Sequence, residues 1–360
     1  MGEGNGAREA RGEQPAMGVE LHTEPWGLAL GGGAVGGSGF TGVELIDGLK
    51  PLLLPGYALL VMVGLLGNSL LLHVICRSRK MHGVTNFLIA NLALADLLMC
   101  AACVPFTLAY VFNPRGWVFG SFLCYFVFLM QPVTVYVSVF TLTAIAVDRY
   151  YATVHPLKKR LSMGGCWQVV AGVWLLSGAL AAPALAHTYH VELPDARLTI
   201  CEEFWVKRER ERLAYAYSTL IITYILPVSA VALSYLRITI KLRGRVLPGT
   251  GIHNQERWER VRRKKIFRLL VLLVTVFGAC WLPLHLFNIV RDVDINLISK
   301  DYFNLLQLLC HWLAMSSACY NPFLYAWLHD RFRAELLKMF ACRKRVVPAT
   351  SHCADVSVVM

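Results

Sequence analysis

The chain has 360 residues, of which 56 % are apolar and 16 % charged, with a mean hydropathy of +0.51. Soluble domains carry about 25 % charged residues, and here the apolar residues gather in long runs instead of core-like spacing, which excludes an ordinary soluble domain and points to lipid as the solvent. The net charge of +12 invites a nucleic-acid reading, so its distribution along the chain has to be examined before its sum is used.

Residues 1–50 are polar, acidic and Gly-rich and lack the apolar core and cleavage site of a secretory leader. They read as a flexible extracellular tail, and the first apolar run then acts as its own insertion signal. Seven stretches long enough to cross a bilayer follow, at about 52–76, 84–111, 121–147, 165–187, 213–240, 266–290 and 303–328. Residues 51–328 are thus expected to form an all-α membrane domain, a seven-helix transmembrane bundle. An amphipathic stretch at 329–341, anchored by Phe332, predicts a short eighth helix, and 342–360 a cytoplasmic tail.

An odd number of spans puts the termini on opposite sides of the membrane. With the N-terminus outside, the inner segments hold 24 Lys and Arg and the outer ones 11, the asymmetry of a multi-pass protein with its C-terminus in the cytoplasm. Nucleic acid is not needed as a partner. The two halves of the hydropathy pattern do not repeat and no row of intramembrane charges occurs, which argues against a transporter. A metal set or a nucleophile–base pair at useful spacing within one compartment is likewise missing, which argues against an enzyme.

Asp96 stands alone in the apolar run of span 2. A carboxylate in hydrocarbon costs several kcal/mol unless solvated, paired or protonated, so it marks either a functional site or a helix-to-helix hydrogen bond. Around it, the membrane portion resembles the rhodopsin-like G-protein-coupled receptor family. The resemblance rests on Gly67-Asn68, Asn91 with Asp96, Asp148-Arg149-Tyr150, Trp174, Pro227 with Tyr235, Cys280-Trp281-Leu282-Pro283 and Asn321-Pro322-Phe323-Leu324-Tyr325, in order and each at its expected depth.

That resemblance implies roles for these residues. Asp96, Asn68, Ser138 and Asn321 converge on a polar pocket that holds a sodium ion in the resting state, the only cofactor expected; a hard cation wants several oxygens. Trp281 lies under the ligand pocket, with Phe277, Val139 and Pro227 as a packing switch below it. Pro283 and Pro322 make hinges. Asp148, Arg149, Tyr150, Tyr235, Asn321, Pro322 and Tyr325 form the machinery that receives a heterotrimeric G protein. Many relatives hold the arginine with an acid at the base of span 6, where this chain has Arg263. The resemblance also implies a disulfide between Cys124 and Cys201 and lipidation of Cys342.

For the ligand, the absence of lysine in span 7 excludes a retinal Schiff base, and Gln131 stands where amine receptors carry an aspartate. A glutamine suits a neutral partner such as a peptide carboxamide. Glu203 and Trp205 in the second outer loop and Asp292 ending span 6 offer an acidic, aromatic seat for an arginine, unless Lys207, Arg208, Arg210 and Arg212 neutralise it internally. Several segments resemble the branch of the family that binds peptides of the prolactin-releasing type, ending in Arg-Phe-amide. Tyr215, His285 and Gln307 join the expected pocket on that basis; His285 is otherwise an ordinary wall residue. The alternative is a neuropeptide Y-type receptor, which also takes amidated Arg-aromatic ends. Membrane lipid, arrestin and, through Val358-Val359-Met360, a PDZ domain complete the expected partners.

Overall fold

The computed structural model describes residues 43–343, apart from 156, 158–159, 194–196, 244–252, 295–296 and 300. Its frame is helical: α1 Val43–Arg77, α2 Val84–Phe112, α3 Gly120–Val154 and α4 Met163–Ala186. After an outer hairpin come α5, built from Glu209–Leu220, Ile221–Ile225 and Leu226–Arg243, then α6 His253–Val293, α7 Phe303–Leu328 and α8 Asp330–Arg343. The helices fall on the seven apolar stretches and the amphipathic one.

Six of these helices, α1 to α6, are long and apolar enough to cross a membrane by length and composition. α7 is different in kind. Its 26 residues carry no charge, but Asn304, Gln307, His311, Ser316, Ser317 and Asn321 dilute its hydropathy. Asn304, Ser316, Ser317 and Asn321 are buried, so this helix turns its polar groups toward the bundle and not toward lipid. α1 begins within the expected tail: Ile46, Leu49 and Leu53 pack with Tyr110, Val111 and Trp117, and residues 43–50 are helix for that reason.

Two helices are locally widened. Met99–Cys103 and Ile221–Ile225 are π turns, and Pro105 and Pro227 follow them. A proline ring clashes with the carbonyl four residues earlier and lacks an N–H; Ala101 and Thr223 hold those carbonyls, and the wider turn absorbs the conflict. Pro283 and Pro322, expected as hinges, sit inside helices that run unbroken through them.

The all-α bundle carries one small sheet, in a loop. The second outer loop contains an antiparallel hairpin, β1 Thr188–Leu193 and β2 Leu198–Glu203, in register Thr188↔Glu203 through Leu193↔Leu198. The first outer loop joins it: Trp117 N–H donates to the Thr199 carbonyl at 2.8 Å and Thr199 N–H to the Arg115 carbonyl at 3.1 Å. Gly116 between them has φ +68°, and a Cβ there would lie 2.3 Å from the Thr199 oxygen, so only glycine fits.

The two largest apolar clusters of the core lie one above the other. One, nearer the cytoplasm, gathers Leu71, Leu88, Leu142, Ile145, Leu273 and Tyr325. The other gathers Tyr57, Met99, Val137, Trp281, Met315 and Ala318. In chain order Asn68, Asp96, Ser138 and Asn321 each fall at the boundary between the two, forming a polar layer within the bundle. Phe332 of α8 is buried against the cytoplasmic region, as its anchoring role requires, and the His329 ring accepts the Phe332 N–H at 3.2 Å to cap that helix.

α1 reaches this layer because Gly67 lets α7 approach. A Cβ at Gly67 would stand 2.9 Å from Cγ of Pro322, whereas one at Gly172, on α4, meets nothing within 4 Å. Overpacking of this kind costs about 1–3 kcal/mol. Gly67→Ala is therefore expected to lower the unfolding temperature of the detergent-solubilised protein by several degrees, while Gly172→Ala leaves it level or raises it.

Candidate functional site

Three layers of chemistry lie along the bundle. The outermost is built by the hairpin, which the Cys124–Cys201 disulfide ties to the start of α3 across a Cα separation of 5.9 Å. Neighbouring side chains of a strand point to opposite faces, so Glu202 and Glu203 part company. Glu202 accepts a hydrogen bond from the Tyr110 hydroxyl at 3.0 Å. Glu203 accepts one from the Trp205 indole. Trp205 stacks on His187 with ring centres 3.7 Å apart and lies 5.7 Å from the Tyr215 ring. Tyr215 in turn donates to the Leu180 carbonyl at 2.9 Å. Glu203, Trp205 and Tyr215, expected together from the sequence, are thus one cluster.

Burial pushes the Glu203 carboxyl above the ordinary carboxylate range. The Trp205 hydrogen bond and the cations of Arg212 and Arg291 pull it partly back, and Asp292 adds to the upward push. Asp292 itself is not an open seat. Its side chain is 3 % exposed and its Oδ1 is met by Arg291 Nε at 2.8 Å and Arg212 Nη2 at 3.1 Å. The internal neutralisation left open by the sequence is realised, by one arginine from α5 and one from the adjacent position on α6. This carboxylate joins the outer ends of the two helices.

Below lies Gln131. Its amide nitrogen sits 3.0 Å from Nε2 of His311, and Thr107 Oγ1 is 3.4 Å from its Oε1. The Tyr57 hydroxyl is 3.0 Å from Nδ1 of the same imidazole and 2.8 Å from the Leu308 carbonyl. His311, Tyr57 and Thr107 were not singled out by the sequence. The helical period was the signal available for His311, which stands four residues beyond Gln307 and so on the same side of α7. Gln307 itself is half-buried. His285 stands beside the Tyr224 ring at 5.4 Å and the Trp281 ring at 6.1 Å, a wall position.

The middle layer holds the expected switch. Trp281 stacks on Phe277 at 5.7 Å and donates its indole N–H to Ser317 at 3.2 Å. Val139, Pro227 and Phe277 line one narrow crevice with Thr223 and Tyr224, so α3, α5 and α6 meet there. In the polar layer beneath, Asp96 accepts from Ser138 at 3.2 Å and from the Asn321 amide at 2.6 Å. Asn68 donates to the Gly64 and Ala318 carbonyls, both at 3.0 Å, and its Oδ1 is buried without a protein partner. A carboxylate, a hydroxyl and an orphaned amide oxygen are the donors a hard monovalent cation takes, so the residues fit a sodium ion. Asn91 accepts from Trp174 at 2.9 Å and donates to Thr141 at 2.8 Å, a structural role.

At the cytoplasmic end a cavity of about 340 Å³ is lined by Thr85, Ile145, Asp148, Arg149, Leu269 and Tyr325, among others. Arg149 Nε donates to Asp148 at 3.0 Å, and Thr85 donates to the same oxygen at 3.1 Å. The arginine is therefore held by its neighbour. Tyr150 packs edge-on against Tyr151 and His155, and Tyr235 is 45 % exposed; neither is among the residues lining the cavity. The side chains of Arg263 and Cys342, and the terminal Val358-Val359-Met360, lie outside the described residues.

Two outcomes follow for the outer layer. Removing a native disulfide costs about 2–5 kcal/mol; Cys124→Ser, Cys201→Ser and the double variant are expected to lose surface expression to the same degree, as cell-surface immunostaining would show. For Glu203 the raised folded value makes its contribution to stability complete below the ordinary carboxylate range and lost as pH rises through the folded value. Unfolding temperatures should thus fall less steeply from acid toward neutral pH in Glu203→Gln than in the unsubstituted protein.

The seven-transmembrane receptor (rhodopsin family) model matches residues 67–325. Curated relatives include neuropeptide Y receptor type 2 of Mus musculus, 37 % identical over 313 residues that make up 84 % of this chain and 81 % of that receptor. The Homo sapiens receptor of the same name is 36 % identical over the same shares. That of Gallus gallus is 36 % identical over 300 residues, 82 % of this chain and 77 % of the relative. With the family model covering most of the chain and these relatives most of its length, the chain belongs to the rhodopsin family of seven-transmembrane, G-protein-coupled receptors.

Proposed function

We propose that the chain is a plasma-membrane receptor, N-terminus outside, for a neuropeptide whose amidated C-terminus presents an arginine followed by an aromatic residue, with neuropeptide Y-type peptides ahead of Arg-Phe-amide ones. The relatives support the order of preference: those named above are neuropeptide Y receptors, which favours that branch over the Arg-Phe-amide branch that the sequence segments suggested. The observation that supports the chemistry is the pairing of a neutral amide floor with an acidic rim. Gln131 is hydrogen-bonded but uncharged, which suits a carboxamide and not a carboxylate. Glu203 with Trp205 above it suits a cationic side chain. Asp292 serves a ligand arginine only by exchanging Arg212 or Arg291 for it.

Such an exchange would act on the joint between the outer ends of α5 and α6, whose inner parts meet α3 at Val139, Pro227 and Phe277. Ligand contacts that differ between two helix arrangements shift their populations, and the cytoplasmic cavity around Arg149 is where a G-protein α-subunit would dock once Asp148 releases the arginine. A sodium ion held by Asp96, Ser138 and Asn321 would neutralise the buried carboxylate in the resting arrangement. Cys342 is proposed as a lipid anchor at the end of α8, with arrestin and a PDZ domain as further cytoplasmic partners.

The test is a calcium and cyclic-AMP dose response in transfected cells. Neuropeptide Y-type and Arg-Phe-amide peptides are each given as amides and as free acids. The expected result is a response to the amides, strongest for the neuropeptide Y type, with at least tenfold weaker potency in Glu203→Ala. Preference for the Arg-Phe set would restore that branch, and equal potency of amides and acids would remove the role given to Gln131.

A further inference from the structure

The hydrogen bonds from α1 to α3 permit only one direction of donation. The Tyr57 hydroxyl has one proton and two close neighbours, the Leu308 carbonyl at 2.8 Å and Nδ1 of His311 at 3.0 Å. A carbonyl oxygen only accepts. Were the proton given to the imidazole, two oxygens would face each other at 2.8 Å with nothing between them. The proton therefore goes to Leu308, the phenolic oxygen accepts from Nδ1–H, and His311 is the Nδ1–H tautomer. Its Nε2 is then an acceptor, and the group 3.0 Å away must be the amide nitrogen of Gln131 and not its oxygen.

This settles which way Gln131 faces. One of its two N–H groups is used by His311. The Thr107 hydroxyl sits 3.0 Å from the Cys103 carbonyl and only 3.4 Å from Gln131 Oε1, so its single proton is better placed on the backbone. With His311 taking the N–H turned away from Oε1, Gln131 keeps the N–H beside its oxygen, and that edge carries one donor and open lone pairs. The complement of that edge is another primary amide, which accepts the N–H and donates to the oxygen. A carboxylate finds one donor and is repelled by the oxygen beside it.

We propose that Tyr57, through His311, is a positioning residue that makes this receptor select a C-terminal carboxamide over a carboxylate. It does so by fixing the imidazole tautomer and with it the sense of the Gln131 amide. The inference rests on the peptide reading given above. Tyr57 is buried in the outer apolar region beside Leu60 and Cys103 and acts without touching ligand. Without its hydroxyl, Nδ1 loses the acceptor it has among the described residues, His311 is free to move its proton to Nε2, and Gln131 turns its oxygen toward it. The exposed amide edge then no longer has a fixed sense.

The readout is the ratio of amide to free-acid potency for two otherwise identical peptides ending in Arg-Tyr and two ending in Arg-Phe. It is measured in cells expressing the unsubstituted receptor, Tyr57→Phe, Gln131→Leu and the double variant. Loss of one hydrogen-bond sense corresponds to about a tenfold change. Tyr57→Phe is expected to lower the ratio about tenfold, and to change nothing further when Gln131→Leu is present. General loss of stability moves both peptides alike and leaves the ratio unchanged. A ratio in surface-expressed Tyr57→Phe equal to that of the unsubstituted receptor overturns the proposal alone. If Tyr57→Phe does not reach the surface, His311→Leu, which removes the acceptor of the Gln131 N–H, is judged by the same ratio. Silence of the unsubstituted receptor to all four peptides overturns the peptide reading and this inference with it.

Discussion

The molecule is organised around a carboxylate that should not be in a membrane. Asp96 is 2 % exposed, and it is tolerable there because α3 and α7 each send it a donor, Ser138 at 3.2 Å and Asn321 at 2.6 Å. Each unsatisfied polar group at this depth costs several kcal/mol. That cost requires α2, α3 and α7 to stay in register, and Asn68 of α1 joins them through the Ala318 carbonyl of α7. The close contact of Gly67 with Pro322 is the steric counterpart of the same constraint. Below this layer, α2, α3 and α7 also line the Arg149 cavity, which α6 closes through Leu269 and Leu273.

Among the described residues α5 and α6 send no group to Asp96, although α6 lies along α7, where Trp281 donates to Ser317 at 3.2 Å. The joints between α5 and α6 are the Arg212–Asp292–Arg291 cluster at the outer end and the Tyr224 hydroxyl on the Gly278 carbonyl, 3.1 Å away, within the span. The first is electrostatic, and it is the joint that a ligand cation would compete for under the proposed function. The second is a single neutral hydrogen bond, worth about 1 kcal/mol. With α6 packed along α7 and joined to α5 by these two contacts, the α5–α6 joint is the one suited to opening.

What the sequence made legible follows the same division. The seven spans and α8 were readable because lipid enforces long apolar runs, and even α7 stood out despite its polar residues because it carries no charge. Asp96 was readable because a charge in such a run is rare, and Ser138 and Asn321 came with the family resemblance. The hairpin was not, since β1 and β2 are held in place by the disulfide and by the first outer loop through Gly116, contacts distant in sequence. His311 and Tyr57 each looked like an isolated polar residue on an apolar helix; their pairing depends on the relative rotation of α1, α3 and α7. Asp292 was read as part of an acidic seat, yet which arginine it meets is decided by where α5 and α6 end, and no local pattern records that.

The π turn at Ile221–Ile225 has a geometric consequence for recognition. A helix advances about 100° per residue, and a π turn holds one residue more than the helix around it. The outer part of α5 is therefore out of phase with the inner part by roughly that angle. Pro227 and Tyr215 belong to one helix but to two separately aimed faces: the first looks into the crevice with Val139, the second toward Trp205 beneath the hairpin. Were the same residues wound as an ordinary α turn, the outer part would rotate by about that angle and swing the Tyr215 ring away from Trp205, leaving the lower crevice where it is. The aim of the outer pocket is in this sense set by a count of residues below it, independently of any side chain that lines it.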